Sequence, residues 1–335
     1  DRSCPGRSWH PGDAPGQVTF SRNGSNDAKQ TVATFVKSGV YLFTVLITNP
    51  SGLSVSSTVQ VTVQQTIGAI AVSPANATVN LNGTQQFAAS ATDQFGLAIQ
   101  PLPQVEWSVN GGGTISASGN FTAGNVAGGP FIVSAASGGV SGTASVTVED
   151  APPTVATQAT ANPVQATGTT TTLSVLGADD GGEAGLLYTW AATGTPPAPV
   201  TFSANGTNAA KSVTATFSKS GSYGFTVTIK DGANQTITSS VAVTVNQTLT
   251  AISVAPANAT VAINATQQFT AAGNDQFGEP VAPQPVFVWT VTGGGTISEA
   301  GLFTAAATAG GPFNVTASSN GVNGTAQVSV VDNAP

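Results

Sequence analysis

The residues best placed for chemistry are carboxylates. Asp179, Asp180 and Glu183 fall within one Gly-rich stretch, Asp179-Asp180-Gly181-Gly182-Glu183, and Asp231 closes an alternating apolar run. Two carboxylates can act as acid and base across a glycosidic bond. Hard oxygen ligands on a flexible loop suit Ca²⁺ better than that poised pair, and Asp231 can join them from its strand end. The spacing is not that of an EF-hand, and the competing reading is a solvated turn in which Asp and Gly serve backbone geometry. The only His (His10) and the only Cys (Cys4) both lie within residues 1–16, so no Ser-His-Asp or Cys-His constellation can be assembled. The expectation is therefore no catalytic or cofactor-binding residue. Calcium near Asp179, Asp180, Glu183 and Asp231 is the one metal candidate.

Other conspicuous residues read as structural. Trp107, Trp190 and Trp289 each sit in an alternating apolar strand, which favours a core position between two sheets over a sugar-stacking platform. Asp93-Gln94-Phe95-Gly96 and Asp275-Gln276-Phe277-Gly278 read as an Asp-capped turn ending in Gly. The triple glycines Gly111 to Gly113 and Gly293 to Gly295 have no following helix and no P-loop Lys, so they read as hairpin connections and not as phosphate cradles.

What must position these residues is a duplicated architecture. Trp107 and Trp289, Phe87 and Phe269, and the two Asp-Gln-Phe-Gly loops all recur at a separation of 182 residues. Upstream, Phe20, Asn23, Phe35, Gly39 and Tyr41 match Phe202, Asn205, Phe217, Gly221 and Tyr223 at the same separation. That period suits a pair of ordinary domains and is too long for a solenoid repeat. Two module types, A and B, thus alternate as A-B-A-B. The predicted boundaries are a leader at 1–16, a truncated A module at 17–64, a B module at 65–149, a second A module at 150–246 and a second B module at 247–332. The leader is compositionally foreign, holding two of the three Arg, and Ser8-Trp9-His10 does not resemble Trp190-Ala191-Ala192 at the constant separation. We therefore expect a fragment of a longer protein with a non-native front end.

Composition sets the class. Charged residues make up 7% of the chain, far below the usual quarter or so, so long amphipathic helices rich in Glu, Lys and Arg are excluded. At 40% apolar with short alternating runs, the chain nonetheless has enough to bury. A net charge of −7 without any basic cluster argues against a nucleic-acid partner. No apolar run reaches the roughly 18 residues of a membrane span.

Period-2 alternation predicts strands at Thr171 to Leu176, Leu187 to Ala191, Val213 to Phe217, Tyr223 to Ile229 and Thr236 to Val245 of the second A module. The B module has comparable runs at Ile252 and Val254, Phe269, Val288 to Val291, Phe313 and Val315, and Val328 and Val330. About seven short strands per module is the pattern of an immunoglobulin-like sandwich. The fold class is therefore all-β, a tandem of such sandwiches.

Within the B module, Gln267-Gln268-Phe269, Val288-Trp289-Thr290-Val291, Gly295-Thr296-Ile297-Ser298 and Gly301-Leu302-Phe303-Thr304-Ala305 resemble the bacterial immunoglobulin-like group 2 family. In the A module, Tyr188-Thr189-Trp190, Ala215-Thr216-Phe217, Gly221-Ser222-Tyr223 and Val227-Thr228-Ile229-Lys230-Asp231 resemble polycystic-kidney-disease (PKD) repeats and related fibronectin-like modules. The A module departs from the PKD pattern after the Trp strand, where Ala191-Ala192-Thr193-Gly194 stands in place of a Gly-Asp-Gly turn, and the first copy has Asn49 where the second has Asp231. These resemblances imply non-catalytic modules of secreted or surface-anchored bacterial proteins, serving as spacers, adhesive stalks or appendages to hydrolases. The partner they imply is carbohydrate or another surface protein.

Overall fold

The computed structural model describes residues 6–332; Arg2 and Cys4 lie outside them. The chain is all-β, with three short 3-10 turns as its only helical elements among the described residues. It divides into two compact units, residues 1–151 and 152–335. Each unit holds one A and one B module, and among the described residues every β-ladder closes within a single module once Gly6–Pro11 is counted with the first A module.

The second A module is a sandwich of two four-stranded sheets. One runs Thr154–Asn162, Thr170–Ala178, Ser212–Thr216, Thr201–Phe202; the other runs Gln165–Ala166, Thr236–Val245, Gly221–Lys230, Leu187–Thr193. Strict alternation explains the packing, because in Gly221–Lys230 the side chains of Tyr223, Phe225, Val227 and Ile229 are buried and those between them are not. These residues share one core with Leu173 and Val175 of the opposite sheet and with Trp190 of Leu187–Thr193. Tyr223 donates its hydroxyl to the Lys219 carbonyl at 2.8 Å, the tyrosine-corner arrangement of immunoglobulin-like sandwiches.

In the first B module, Glu106–Val109, Gly128–Ser137, Val140–Glu149 and Asn76–Asn80 form one sheet. Facing it are a three-stranded sheet of Gly113–Ile115, Asn120–Ala123 and Thr84–Gln86 and the pair Ile67–Ser73 with Ala88–Asp93. Phe87, Phe121, Val133 and Val146 fill the space between. The second B module repeats this around Phe269, Phe303, Val315 and Val328.

Two expectations are corrected here. The triple glycines do not connect a hairpin, because the strands on either side of Gly111 to Gly113 belong to different sheets. Gly112, at φ +73, carries the chain across the sandwich with the Phe131 ring lying where a Cβ would stand.

The described part of the expected leader, residues 6–16, does not stand apart from the first A module. Gly6–Pro11 is a strand paired antiparallel to Gly39–Thr48, with Trp9 opposite Val45, as Trp190 lies opposite Val227. Trp9 donates Nε1–H to the Ala28 carbonyl at 2.9 Å, and Trp190 to that of Ala210 at 2.8 Å. Asn23 and Asn205 bracket the two Trp backbones with the same pair of hydrogen bonds. Trp9 is thus the counterpart of Trp190. The constant separation puts Ser8 there because the segment from Trp9 to Pro15 is one residue shorter than that from Trp190 to Pro197.

The first A module is nonetheless less enclosed. Its described strands are Gly6–Pro11, Val18–Phe20, Ala33–Phe35, Gly39–Thr48 and Ser54–Val63, with no counterpart of Thr154–Asn162 or Thr170–Ala178 among the described residues. Tyr41 and Phe43 are buried, while Val55 and Val59 are exposed.

Candidate functional site: carboxylates at one end of the second A module

Strands from the two opposite sheets end side by side and bring the sequence-selected acids together. Thr170–Ala178 runs into Asp179 and Asp180, and Gly221–Lys230 runs into Asp231. A tight turn follows the first strand: Gly181 N–H donates to Asp179 Oδ2 at 3.0 Å and Gly182 N–H to the Asp179 carbonyl at 3.1 Å. Carboxylate oxygens of Asp179 and Asp180 lie within 4.8 Å of one another. Asp231 is 3% exposed, and its Oδ1 accepts the Gln235 N–H at 2.7 Å across its own turn. Its Oδ2 and Asp179 Oδ1 are buried with no hydrogen-bond partner. Burial pushes the Asp179 carboxyl above its ordinary range, and the charges of Asp180 and Asp231 push it further.

Glu183, also expected near this group, is bound elsewhere. It opens the 3-10 turn Glu183–Gly185, and its carboxylate is taken up by other side chains. Lys211 Nζ lies 3.0 Å from its Oε2, and Tyr188 Oη–H donates to Oε1 at 2.9 Å. Asn208 Nδ2 donates to the same oxygen at 3.1 Å. With the Lys211 hydrogen bond foremost, and Tyr188 and Asn208 adding to it against burial, the carboxyl is held below the ordinary glutamate range. Because the pKa is lowered on folding, the stabilisation is fully present above the ordinary glutamate value and is lost as pH falls through the lowered one. Glu183→Gln is expected to cost about 1 kcal/mol at neutral pH, modest because both side chains are about one-third exposed. The same variant should narrow the stability difference between pH 7 and pH 3. Urea denaturation at the two pH values checks both.

The paired Asp-Gln-Phe-Gly loops are turns, as expected. Asp93 Oδ1 accepts the N–H groups of Phe95 at 2.9 Å and Leu97 at 3.0 Å, and Asp275 does the same for Phe277 and Glu279. Their second oxygens receive Gln65 and Gln247, so the B-module acids, unlike Asp231, use both. Sequence reasoning missed the role of the loop glutamine. Gln276 takes the Thr248 N–H at 2.8 Å and donates to the Asn246 carbonyl at 2.7 Å. Gln94 binds Thr66 at 2.9 Å and the Gln64 carbonyl at 2.6 Å in the same way. Each pins the short A-to-B joint of its own unit, and Phe277 packs against the core of the second A module. The signal available in sequence was the recurrence of Gln at both loops.

Of the tryptophans, Trp190 is 2% exposed and fully in the core. Trp107 and Trp289 are half-buried against their cores, with Gly119 and Gly301 so close that a Cβ would stand 2.9 and 3.0 Å from the indole. His10 is exposed on its strand.

No helix among the described residues is long and apolar enough to cross a membrane. No curated protein matches the chain in sequence. Among solved structures, Drosophila N-cadherin EC1-4 is 13% identical with a TM-score of 0.40, covering 100% of this chain and 94% of that one. Protocadherin gammaB7 EC3-6 is 15% identical with a TM-score of 0.40, covering 97% and 91%. The surface layer protein SbsC, domains 1-6, is 17% identical with a TM-score of 0.27, covering 100% and 51%. Residues 159–245, the sandwich that holds Trp190 and Asp231, match the model of a PKD-domain family, as the residues around Tyr188 and Tyr223 led us to expect.

Proposed function

We propose that the chain is a non-catalytic stalk or adhesion scaffold of a larger secreted or cell-surface modular protein, built to bear tension along its length. The supporting observation is the way each B module is closed. Asn76–Asn80 pairs parallel with the final strand Val140–Glu149 over five register positions, from Asn76 opposite Ser145 to Asn80 opposite Glu149. The second B module repeats this from Asn258 opposite Gln327 to Ala262 opposite Val331. A force that separates the ends of a module loads such a parallel ladder in shear, so its hydrogen bonds resist together and do not peel one after another. The PKD-like match of the second A module and the Gln-pinned joints support the same reading. On this reading the B modules are of the bacterial immunoglobulin-like group 2 type, and the protein is extracellular.

Single-molecule pulling on the whole chain tests the proposal. Each B module is expected to give a discrete force peak releasing about 25–30 nm of chain, from about 80 residues at about 3.5 Å each. Smooth extension without peaks would overturn the tension-bearing role. Strong hits on a glycan array would instead favour a carbohydrate-binding module.

A further inference from the structure

We infer that the second A module holds a divalent hard cation, Ca²⁺ in chemical class, between Asp179, Asp180 and Asp231. Two observations meet at this point. One is the convergence of three acids from strand ends of opposite sheets, with Asp179 and Asp180 oxygens within 4.8 Å. The other is independent of that count: Asp231, 97% buried, uses Oδ1 on the Gln235 N–H and leaves Oδ2 in the interior with no partner. Asp179 Oδ1 is likewise buried and unpartnered.

Buried carboxylate oxygens are strongly penalised unless a proton, a donor or a cation meets them. The other two buried aspartates show the usual solution, since Asp93 and Asp275 receive two backbone N–H groups on one oxygen and a Gln amide on the other. No such donor reaches Asp231 Oδ2. Hard anionic oxygens on two turns match the flexible, all-oxygen shell of Ca²⁺ better than the strict octahedron of Mg²⁺. Lys230, adjacent to Asp231 in sequence, donates to Asn234 Oδ1 at 3.2 Å, and Lys211 is bound to Glu183. The first A module supplies an internal comparison. Asn49 occupies the position of Asp231 and caps the same turn through the N–H groups of Ser51 and Leu53, both at 2.9 Å.

Calorimetric titration of the full chain with CaCl₂, after treatment with a chelator, tests the assignment. One saturable site is expected, with weaker heat from MgCl₂. Asp231→Asn should lower the affinity at least about 100-fold, as should Asp179→Asn, each removing one negative charge from the coordinating oxygens. Asp231→Asn should still fold, because Asn49 performs the turn role in the first copy; hydrogen exchange across Gly221–Lys230 verifies that. Asp93→Asn, in a B-module turn, should leave the titration unchanged. In the unsubstituted chain, calcium should slow exchange in Gly221–Lys230 and raise the unfolding midpoint of this module by about 5–10 °C at saturation. No heat and no slowing at millimolar calcium would overturn the inference, as would binding that survives both Asp179→Asn and Asp231→Asn.

Discussion

Trp190→Ala is expected to cost the second A module about 3–5 kcal/mol, enough to leave it largely unfolded while the B modules stay intact. The side chain is 2% exposed and belongs to the core that gathers Leu173 and Val175 from one sheet and Val227 from the other. Truncation therefore leaves a cavity that two hydrogen-bonded sheets cannot collapse to fill. It also strands the Ala210 carbonyl, which accepts the indole N–H at 2.8 Å, and so removes the tether of the 3-10 turn Asn208–Lys211. Trp9→Ala makes the same chemical change at the corresponding position, where the ring is only half-buried. Its cost should be clearly smaller. Hydrogen exchange resolved on Leu187–Thr193 and on Gly6–Pro11 measures the two losses separately.

Gly324→Ala should be nearly as damaging, by the opposite mechanism. Gly324 lies in Val322–Val331 with ordinary extended backbone, so no special φ explains it. The reason is the other sheet: a Cβ would fall on the carbonyl carbon and oxygen of Ile252, in Leu249–Ala255. Both obstacles are backbone in paired strands, which cannot rotate aside as a side chain would. One methyl group must push the sheets apart, and a loss of about 3 kcal/mol or more is expected. Gly142 meets Ile70 in the same way, so Gly142→Ala should cost the first B module a similar amount. Gly232→Ala, where a Cβ meets open space, should change stability by no more than about 0.5 kcal/mol. Thermal unfolding of the three variants decides the matter; equal midpoints would sink the close-approach account.

Much of this architecture was legible before any coordinates. Val288–Val291 is a strand with the predicted bounds, and Leu187–Thr193 and Gly221–Lys230 extend the predicted runs by two residues or fewer at each end. Those strands announce themselves because one face is buried and one is wet, which writes a period of two into the sequence. Thr201–Phe202 and Gln165–Ala166 carry too few residues to show any period. The Asp-Gln-Phe-Gly turn was readable from its Asp and Gly, but the reach of its Gln to the joint was not, since nothing local marks which backbone a long amide will meet.

The candidate site divides along the same line. Sequence alone brought Asp179, Asp180 and Asp231 into consideration, because acids at predicted strand ends and in a Gly-rich loop stand out in a chain that is 7% charged. It also attached Glu183, the residue after the turn, which is bound by Lys211 and Tyr188 instead. Only the tertiary structure shows that Asp231 is buried with one oxygen unpartnered while Asp93 and Asp275 are satisfied, because a buried carboxylate's partners come from whatever strand and turn the sandwich packs beside it. The same holds for Trp9. A one-residue difference in a loop breaks an alignment counted along the chain, whereas the ladder that sets Trp9 opposite Val45 is counted across it. Class, modules and strand positions are local properties of alternation and could be read from the residues; sheet membership, burial of individual acids and the equivalence of Trp9 with Trp190 are long-range pairings, decided by the packed fold.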